Sequence, residues 1–205
     1  NGGSICIDNT LNQHTTISID SNIMTENKAG KHGGFMYIKD NNIRLNLTNS
    51  TMILNKAMNG DGGCISSLSN VYMNMTNINM ISNEAGNNGG CMSFENNTQL
   101  NIYSSKLHNN IAGTSGGIVY MKSKSNLYTI SHTDIRNNTA VNGDGGGFCN
   151  APIYNIFKTV IHDNTAKYDG GFVNIDSMYE NRLRIHRSSF ENNRALEGSG
   201  GSIEI

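Results

Sequence analysis

The sequence predicts an all-β fold, a single-stranded parallel β-helix in which each turn of about 28 residues, here called a rung, stacks on the next. The first observation behind this prediction is a motif that occurs seven times: an apolar residue, two variable residues, Asn, one variable residue and Ala. A Gly-Gly pair follows each copy a few residues later. The repeated asparagines, spaced 26 to 29 residues apart, are Asn27, Asn55, Asn83, Asn110, Asn138, Asn164 and Asn193.

The second observation is an apolar residue at every second position ahead of the motif. The positions ten and eight before each Asn are apolar in every copy, as Leu45 and Leu47 are before Asn55. This spacing is the period of a β-strand with one buried face, and a helix does not have it. A further alternation follows each Gly-Gly pair, where the second residue is apolar in every copy, with Cys149 in that place if Gly147 belongs to its pair.

The third position before each Asn marks another short strand. We expect the seven apolar residues there to form one inward column: Met24, Met52, Met80, Leu107, Ile135, Ile161 and Phe190. The sequence thus predicts three short strands per rung, three long parallel sheets and, from the chirality of parallel crossovers, a right-handed coil.

The repeated spacing within the chain also predicts roles for the polar and small residues of the motif. Each Asn amide is predicted to bond to the equivalent amides above and below it, forming a ladder. The Ala suits a corner with little space, and Gly-Gly suits a turn in which backbones approach closely. One proline in 205 residues agrees with continuous sheets, because proline cannot donate to a ladder.

Composition limits the partners and the environment. Hydrophobic residues make up 36% of the chain and the mean hydropathy is −0.43, which a narrow core only a few side chains wide can accommodate. A net charge of −1 gives no electrostatic attraction to nucleic acid or to an anionic membrane. No apolar stretch has the length of a membrane-spanning helix, and no residue pattern indicates a cofactor.

The chain is predicted to be one repeat domain, residues 1–205, with about seven rungs. It opens at Asn1-Gly2-Gly3 and stops just after Gly200-Gly201, the same point of the repeat. Repeat arrays need terminal caps, so we expect an excerpt of a longer solenoid that associates end to end or laterally with copies of itself.

Phe190-Glu191-Asn192-Asn193, followed by Gly200-Gly201-Ser202-Ile203, resembles the paired FxxN and GGA[ILV] repeats of the polymorphic outer membrane protein family. Similar repeats occur in large surface proteins of protists. The likeness spans the chain at the level of the repeat, although Phe is Met, Leu or Ile in six of the seven copies. The resemblance implies an extracellular β-helix, with surface adhesion as the activity of the family.

Candidate catalytic and ligand-binding residues are few. Asp134 and Asp163 are the nearest pair of outward carboxylates, predicted one register position apart on adjacent rungs, and a general acid and base must lie roughly 5 to 10 Å apart. Two basic groups offer a face for an anionic glycan, or simply a solvated charged surface: His108, Arg136 and His162 stacked before the Asn, and Arg182, Arg184 and His186 along one strand.

Three other features have alternative interpretations. Cys64 and Cys91 are predicted to occupy the same column in adjacent rungs. They either form a disulfide or remain free thiols stacked on each other. The turns at 59–63 and 142–146 resemble calcium-binding glycine-aspartate repeats, although ordinary turn formation explains them as well. Among five glycosylation sequons, Asn46 and Asn74 are predicted to point outward and to be possible acceptors.

These observations favour a noncatalytic structural or adhesive rod, extracellular or at the cell surface. Its expected partners are copies of itself or a glycan or protein of a cell surface. The main alternative is a carbohydrate-active β-helix, a polysaccharide lyase or glycoside hydrolase, whose active rungs lie outside this stretch. Another is a passive spacer that carries a binding domain elsewhere.

Overall fold

The computed structural model of the protein describes residues 2–8, 14–39, 42–122, 126–150, 153–175 and 183–205. Within these ranges the chain consists of short strands joined by turns and bends, without a helix. Every strand pairs in parallel with the equivalent strand of the neighbouring rung, so the chain forms a parallel β-solenoid with about 28 residues per turn. The predicted fold class is confirmed.

The first two sheets follow the Gly-Gly pair. The first sheet contains the strands Ile5–Ile7, Met36–Ile38, Ile65–Ser67, Met92–Phe94, Val119–Met121, Phe148–Cys149, Val173–Asn174 and Ile203–Glu204. The second sheet has the longest strands: Thr15–Asp20, Ile43–Thr48, Val71–Thr76, Thr98–Tyr103, Asn126–Ser131, Ile153–Phe157 and Arg184–His186. The alternation read from the sequence lies in this second sheet.

The other two sheets lie on either side of the repeated Asn. The third sheet, before the Asn, contains Ile23–Thr25, Thr51–Ile53, Asn79–Ile81, Lys106–His108, Asp134–Arg136, Val160–His162 and Ser189–Glu191. The fourth sheet, after the Asn, contains the two-residue strands Lys28–Ala29, Lys56–Ala57, Glu84–Ala85, Ile111–Ala112, Thr139–Ala140, Thr165–Ala166 and Arg194–Ala195.

The prediction of three strands per rung is therefore wrong, because the variable residue and the Ala after each Asn form a fourth. Ala lies in a strand with its side chain buried in the first six rungs, and does not mark a corner. The bend is made instead by the residue before the Asn, which has a positive φ in every rung: Glu26, Leu54, Ser82, Asn109, Asn137, Asp163 and Asn192. Only four of these seven are the Asn or Asp that tolerate this conformation best, so the bend left little trace in the sequence.

The inward columns form one continuous hydrophobic core. Met80 pairs in register with Met52 on one side and with Leu107 on the other, and all three side chains are fully buried. The predicted column of seven residues is confirmed, with Phe190 in the last rung only partly buried against the core. Since each rung covers the next, burial is nearly complete in the middle of the solenoid.

Two register details differ from the simple repeat. Leu100 pairs with Leu127 and Asn101 pairs with Thr129, so Tyr128 is an extra residue and not the counterpart of Leu100. An additional residue of this kind is a β-bulge, which bends the strand locally.

The glycine run at 145–147 also has a definite register. Val119 pairs with Phe148, and Gly145 has the positive φ found at the first glycine of six other pairs. Gly145-Gly146 is therefore the turn, and Phe148, not Cys149, takes the inward position after it.

We expect Met80→Ala to lower the free energy of unfolding by about 3 kcal/mol, because it removes a fully buried side chain from the core column. Urea denaturation followed by circular dichroism measures the change. Met58→Ala is the control, since Met58 is 50% exposed and should cost little. Equal costs for the two substitutions would contradict the inward assignment of the column.

Candidate functional site

The seven repeated asparagines form a continuous hydrogen-bonded ladder, as predicted. Along the series, each Nδ2 donates to the Oδ1 of the Asn in the next rung at 2.8 to 3.1 Å. The backbone N–H of the same residue donates to the same oxygen at 2.9 to 3.1 Å. Five members have no exposed surface: Asn55, Asn83, Asn110, Asn138 and Asn164.

A further hydrogen bond ties the ladder to the core strands. Asn83 Nδ2 also donates to the carbonyl of Met52 in the preceding rung, at 2.9 Å, and the equivalent bond recurs along the column. The amide of Asn83 thus donates both hydrogens and accepts two bonds at its oxygen. A buried amide is tolerated only when it is satisfied in this way. The ladder is a structural element of the fold.

A second polar ladder, made of hydroxyl groups, was not predicted. It lies five positions before the Asn, where Ser50, Ser105, Thr133, Thr159 and Ser188 occur in five of the seven rungs. Ser105 is representative, because its hydroxyl donates to the carbonyl of Tyr103 at 2.7 Å and accepts from the N–H of Ile78 at 3.1 Å. The signal was present in the sequence as Ser or Thr at a fixed distance from the Asn.

Cys64 and Cys91 are adjacent in register, and both side chains are fully buried as free thiols. The backbone N–H of Cys64 donates to the carbonyl of Cys91 at 2.8 Å, which places them in neighbouring rungs as expected. Cys64 Sγ lies 3.3 Å from Met52 Sδ, and Asn83 Nδ2 lies 3.6 Å from Cys91 Sγ. Burial raises the pKa of both thiols, so they are protonated core residues, in agreement with the stacked-thiol alternative.

A group of basic and acidic side chains, here called the ion-pair cluster, lies at the third sheet: His108, Asp134, Arg136, His162 and Asp163. His108, Arg136 and His162 are in register, so they stack as predicted. Asp134 Oδ2 lies 3.0 Å from His108 Nε2, and Asp134 Oδ1 lies 3.7 Å from His162 Nε2. Arg136 Nε lies 3.8 Å from Asp134 Oδ2, and His162 Nδ1 lies 2.6 Å from Asp163 Oδ2.

The predicted offset between the two carboxylates is wrong. Asp134 pairs with Val160, which lies three residues before Asp163, and His162 stands between the two acids. The hydrogen bond with His162 is the main cause that holds the pKa of Asp163 below its usual value. A general acid must keep its proton near neutral pH, so Asp163 does not suit that role. Within the described ranges, no group of three His, Cys, Asp or Glu side chains is arranged to hold a metal ion.

The ion-pair cluster makes stability depend on pH. Burial is the main cause that lowers the pKa of His108 below its ordinary value of 6.5. The positive charges of Arg136 and Lys106 lower this pKa further, and the negative charge of Asp134 raises it by less than burial lowers it. The unfolded chain therefore binds this proton more readily than the folded chain does. The contribution of His108 to stability should be complete above about pH 6.5 and should fall as the pH drops below that value.

We expect His108→Gln to flatten this decline, because glutamine does not titrate. The measurement is the urea midpoint at about pH 7.5 and pH 5.5 for the wild type and the variant. His186→Gln serves as the control, since His186 is exposed on the second sheet. A variant that loses as much stability as the wild type over this range would exclude His108 as the source.

The predicted basic face lies at the last strand of the second sheet. Arg184 and His186 are exposed there, whereas Arg182 lies outside the described residues. The ring of His186 stacks parallel to Phe157 with centroids 5.6 Å apart, and Lys158 Nζ lies 5.2 Å from the centre of the same ring. The cations are thus part of a mixed aromatic and basic surface, and binding of an anionic glycan there stays a prediction.

The aspartates of the calcium-like turns serve the backbone. Asp61 Oδ1 accepts from the backbone N–H of Asn88 at 3.0 Å and from its Nδ2 at 3.1 Å. Asp144 Oδ1 accepts from the N–H of Asp169 at 3.1 Å. These contacts agree with the interpretation of the residues before Gly-Gly as turn formers that link neighbouring rungs.

The two candidate glycosylation sites are half-buried on the outward face of the second sheet. Asn74 Nδ2 donates to Asn46 Oδ1 at 3.3 Å, and Asn101 Nδ2 donates to Asn74 Oδ1 at 3.1 Å. The three residues form a second, outer amide column. Glycosylation of Asn46 or Asn74 stays a prediction.

The search for a membrane-spanning helix and the comparisons with known proteins gave negative results. Within the described part of the chain, no helix has the length and apolar character needed to cross a lipid bilayer. No family model, curated protein or solved structure matches the sequence significantly. The functional argument therefore depends on the residues and geometry of this chain.

Proposed function

We propose that this chain is a noncatalytic structural or adhesive rod of an extracellular or cell-surface protein. The main support is the contrast between the inside and the outside of the rungs. Inward columns repeat the same residue types from rung to rung, whereas some outward columns change freely, as in the series Lys106, Asp134, Val160 and Ser189. A repeated interior with a varied surface maintains length and presents side chains.

The hydrogen bonding gives such a rod rigidity along its axis. Four parallel sheets, the Asn ladder and the Ser/Thr ladder all run in the direction of stacking. Each rung contacts its neighbours only, so rungs can be added or removed without changing the rest of the fold. This property suits a spacer or an adhesive stalk.

The resemblance to polymorphic outer membrane proteins supports an extracellular location and adhesion as the activity. Under this proposal, the partners are copies of the chain or a glycan or protein of a cell surface. The ion-pair cluster supports a noncatalytic role, since Asp134 and Asp163 each face a histidine and Asp163 is held ionised.

Removal of one whole repeat tests the rod. Deletion of residues 56–83 joins Asn55 to Glu84, which occupies the same register position as Lys56. We expect the shortened chain to fold and its length to decrease by about 4.8 Å, one rung, in small-angle scattering. A control deletion of residues 56–69, half a repeat, should destroy the register. If both deletions unfold the chain, the modular rod is contradicted.

Location and catalysis need separate experiments. Antibodies against the chain should label intact cells of the source organism without permeabilisation, and labelling only after permeabilisation would overturn the extracellular proposal.

The purified protein should release no sugars from acidic or neutral polysaccharides. Cleavage that disappears in Asp134→Asn would instead show a catalytic site within this chain and overturn the noncatalytic proposal.

A further inference from the structure

A groove crosses the outward face of the second sheet near the start of its strands. Its volume is about 240 Å³, and residues from four successive rungs line it: His14 in the first, Arg44 in the second, Asn70 and Tyr72 in the third, and Gln99 in the fourth. At a rung spacing of roughly 4.8 Å, the groove extends about 14 Å along the solenoid axis. Its direction thus follows the stacking of the rungs.

The side chains of the groove combine the ring of Tyr72 with several amides. Arg44, Tyr72 and Gln99 are in register on adjacent strands, and Asn70 precedes the strand that carries Tyr72. Each amide both donates and accepts hydrogen bonds, as sugar hydroxyl groups also do. Tyr72 adds an aromatic ring beside them, and the ring face that Arg44 does not cover suits the C–H face of a pyranose ring.

The groove carries positive charge without a described acidic side chain to balance it. Among the described residues that line it, none is acidic, whereas Arg44 carries a full positive charge. The Arg44 guanidinium carbon lies 4.8 Å from the centroid of the Tyr72 ring. An arginine in this position makes a cation–π contact with the ring and carries five N–H donors, two of which can pair in parallel with a carboxylate.

We propose that this groove binds a carboxylated sugar unit of a glycan chain, with Arg44 pairing with the carboxylate and Tyr72 and the amides contacting the ring and its hydroxyl groups. The groove is separate from the basic face at Arg184 and His186, since it lies at the other end of the same sheet. The proposal specifies a ligand for the adhesive rod and so rests on that function.

Binding is measured by titrating the full 205-residue chain with three probes: a hyaluronan tetrasaccharide, which carries glucuronate, 3′-sialyllactose, which carries sialate, and neutral lactose. We expect saturable binding of at least one acidic probe and at least tenfold weaker binding of lactose. The acidic probe that binds identifies the sugar as a uronate or a sialate. Equal binding of lactose, or no binding of either acidic probe, would overturn the proposal.

Two variants locate the site. Arg44→Met should weaken binding of the acidic probe at least tenfold, and Arg44→Lys, which keeps the charge but loses the paired donors, should fall between it and the wild type. Arg194→Met removes the same charge from an exposed position of the fourth sheet, away from the groove and from the basic face, and should bind like the wild type. Circular dichroism melting checks that each variant is folded. Equal losses in Arg44→Met and Arg194→Met would show nonspecific attraction and overturn the assignment.

The outcome is independent of the test for location. A purified chain that binds the acidic probe through Arg44 but labels only inside cells would retain the site and refute the adhesive rod. A surface-labelled chain whose Arg44→Met variant binds as well as the wild type would retain the rod and refute the site.

Discussion

Replacing Asn83 by leucine should lower the free energy of unfolding by about 3 to 6 kcal/mol. The substitution removes the acceptor used by the backbone N–H and by the Nδ2 of Asn55, and it removes the donor to Met52 O and to Asn110 Oδ1. Each buried group left without a partner costs about 1 to 3 kcal/mol, and the four groups are coupled, so the costs do not simply add. Urea denaturation at neutral pH measures the combined loss of stability.

A matched control lies in the same rung. Asn79 is half-buried on the outward face, where its Nδ2 contacts Thr51 Oγ1 at 3.3 Å. Asn79→Leu should therefore cost less than about 1 kcal/mol, because water replaces the lost bond. Asn83→Asp adds a second comparison, since it keeps the oxygen that accepts both hydrogen bonds from Asn55 but loses the two donors of the amide and places a carboxyl group in the core. Equal stability of Asn83→Leu and Asn79→Leu would refute the ladder as a source of stability.

The repeat made the core and the ladder predictable. The core residue at the position of Met80 precedes the Asn at the position of Asn83 by three residues in every rung. Side chains at the same position of a stacked repeat must contact their counterparts in the neighbouring rungs. The stacking of His108, Arg136 and His162 followed from the same argument. These features depend on the period alone, which the sequence shows directly.

Other features depend on backbone conformation, which the period does not show. The bend before the Asn uses a positive φ at Leu54 and at Ser82, residue types that carry no signal for that conformation, so the fourth strand was missed. The bulge at Tyr128 arises from one added residue that the variable repeat length concealed. The groove at Tyr72 needs side chains from four rungs and so required the structure.

Gly90→Ala should destabilise the chain by on the order of 4 kcal/mol, although it adds a single methyl group. A Cβ atom at Gly90 would lie 2.1 Å from the carbonyl oxygen of Gly117 and 2.8 Å from backbone atoms of Ile111. Both neighbours are backbone, so no side-chain rotation relieves the contact. The hydrogen bond from Gly90 N–H to Gly116 O, at 3.0 Å, fixes the distance between the same two rungs. The methyl group must therefore separate rungs that the sheets hold together.

Gly30→Ala is the control, because a Cβ atom there meets nothing within 4 Å. The equivalent position in the next rung is already occupied by Met58, an exposed side chain. Alanine at this site restricts the unfolded chain without a clash, so stability should be unchanged or raised by about 0.5 kcal/mol. The two glycines thus separate the effect of close rung packing from that of glycine itself. If Gly90→Ala and Gly30→Ala unfold at the same urea concentration, the second glycine of each pair is not required by contact between rungs.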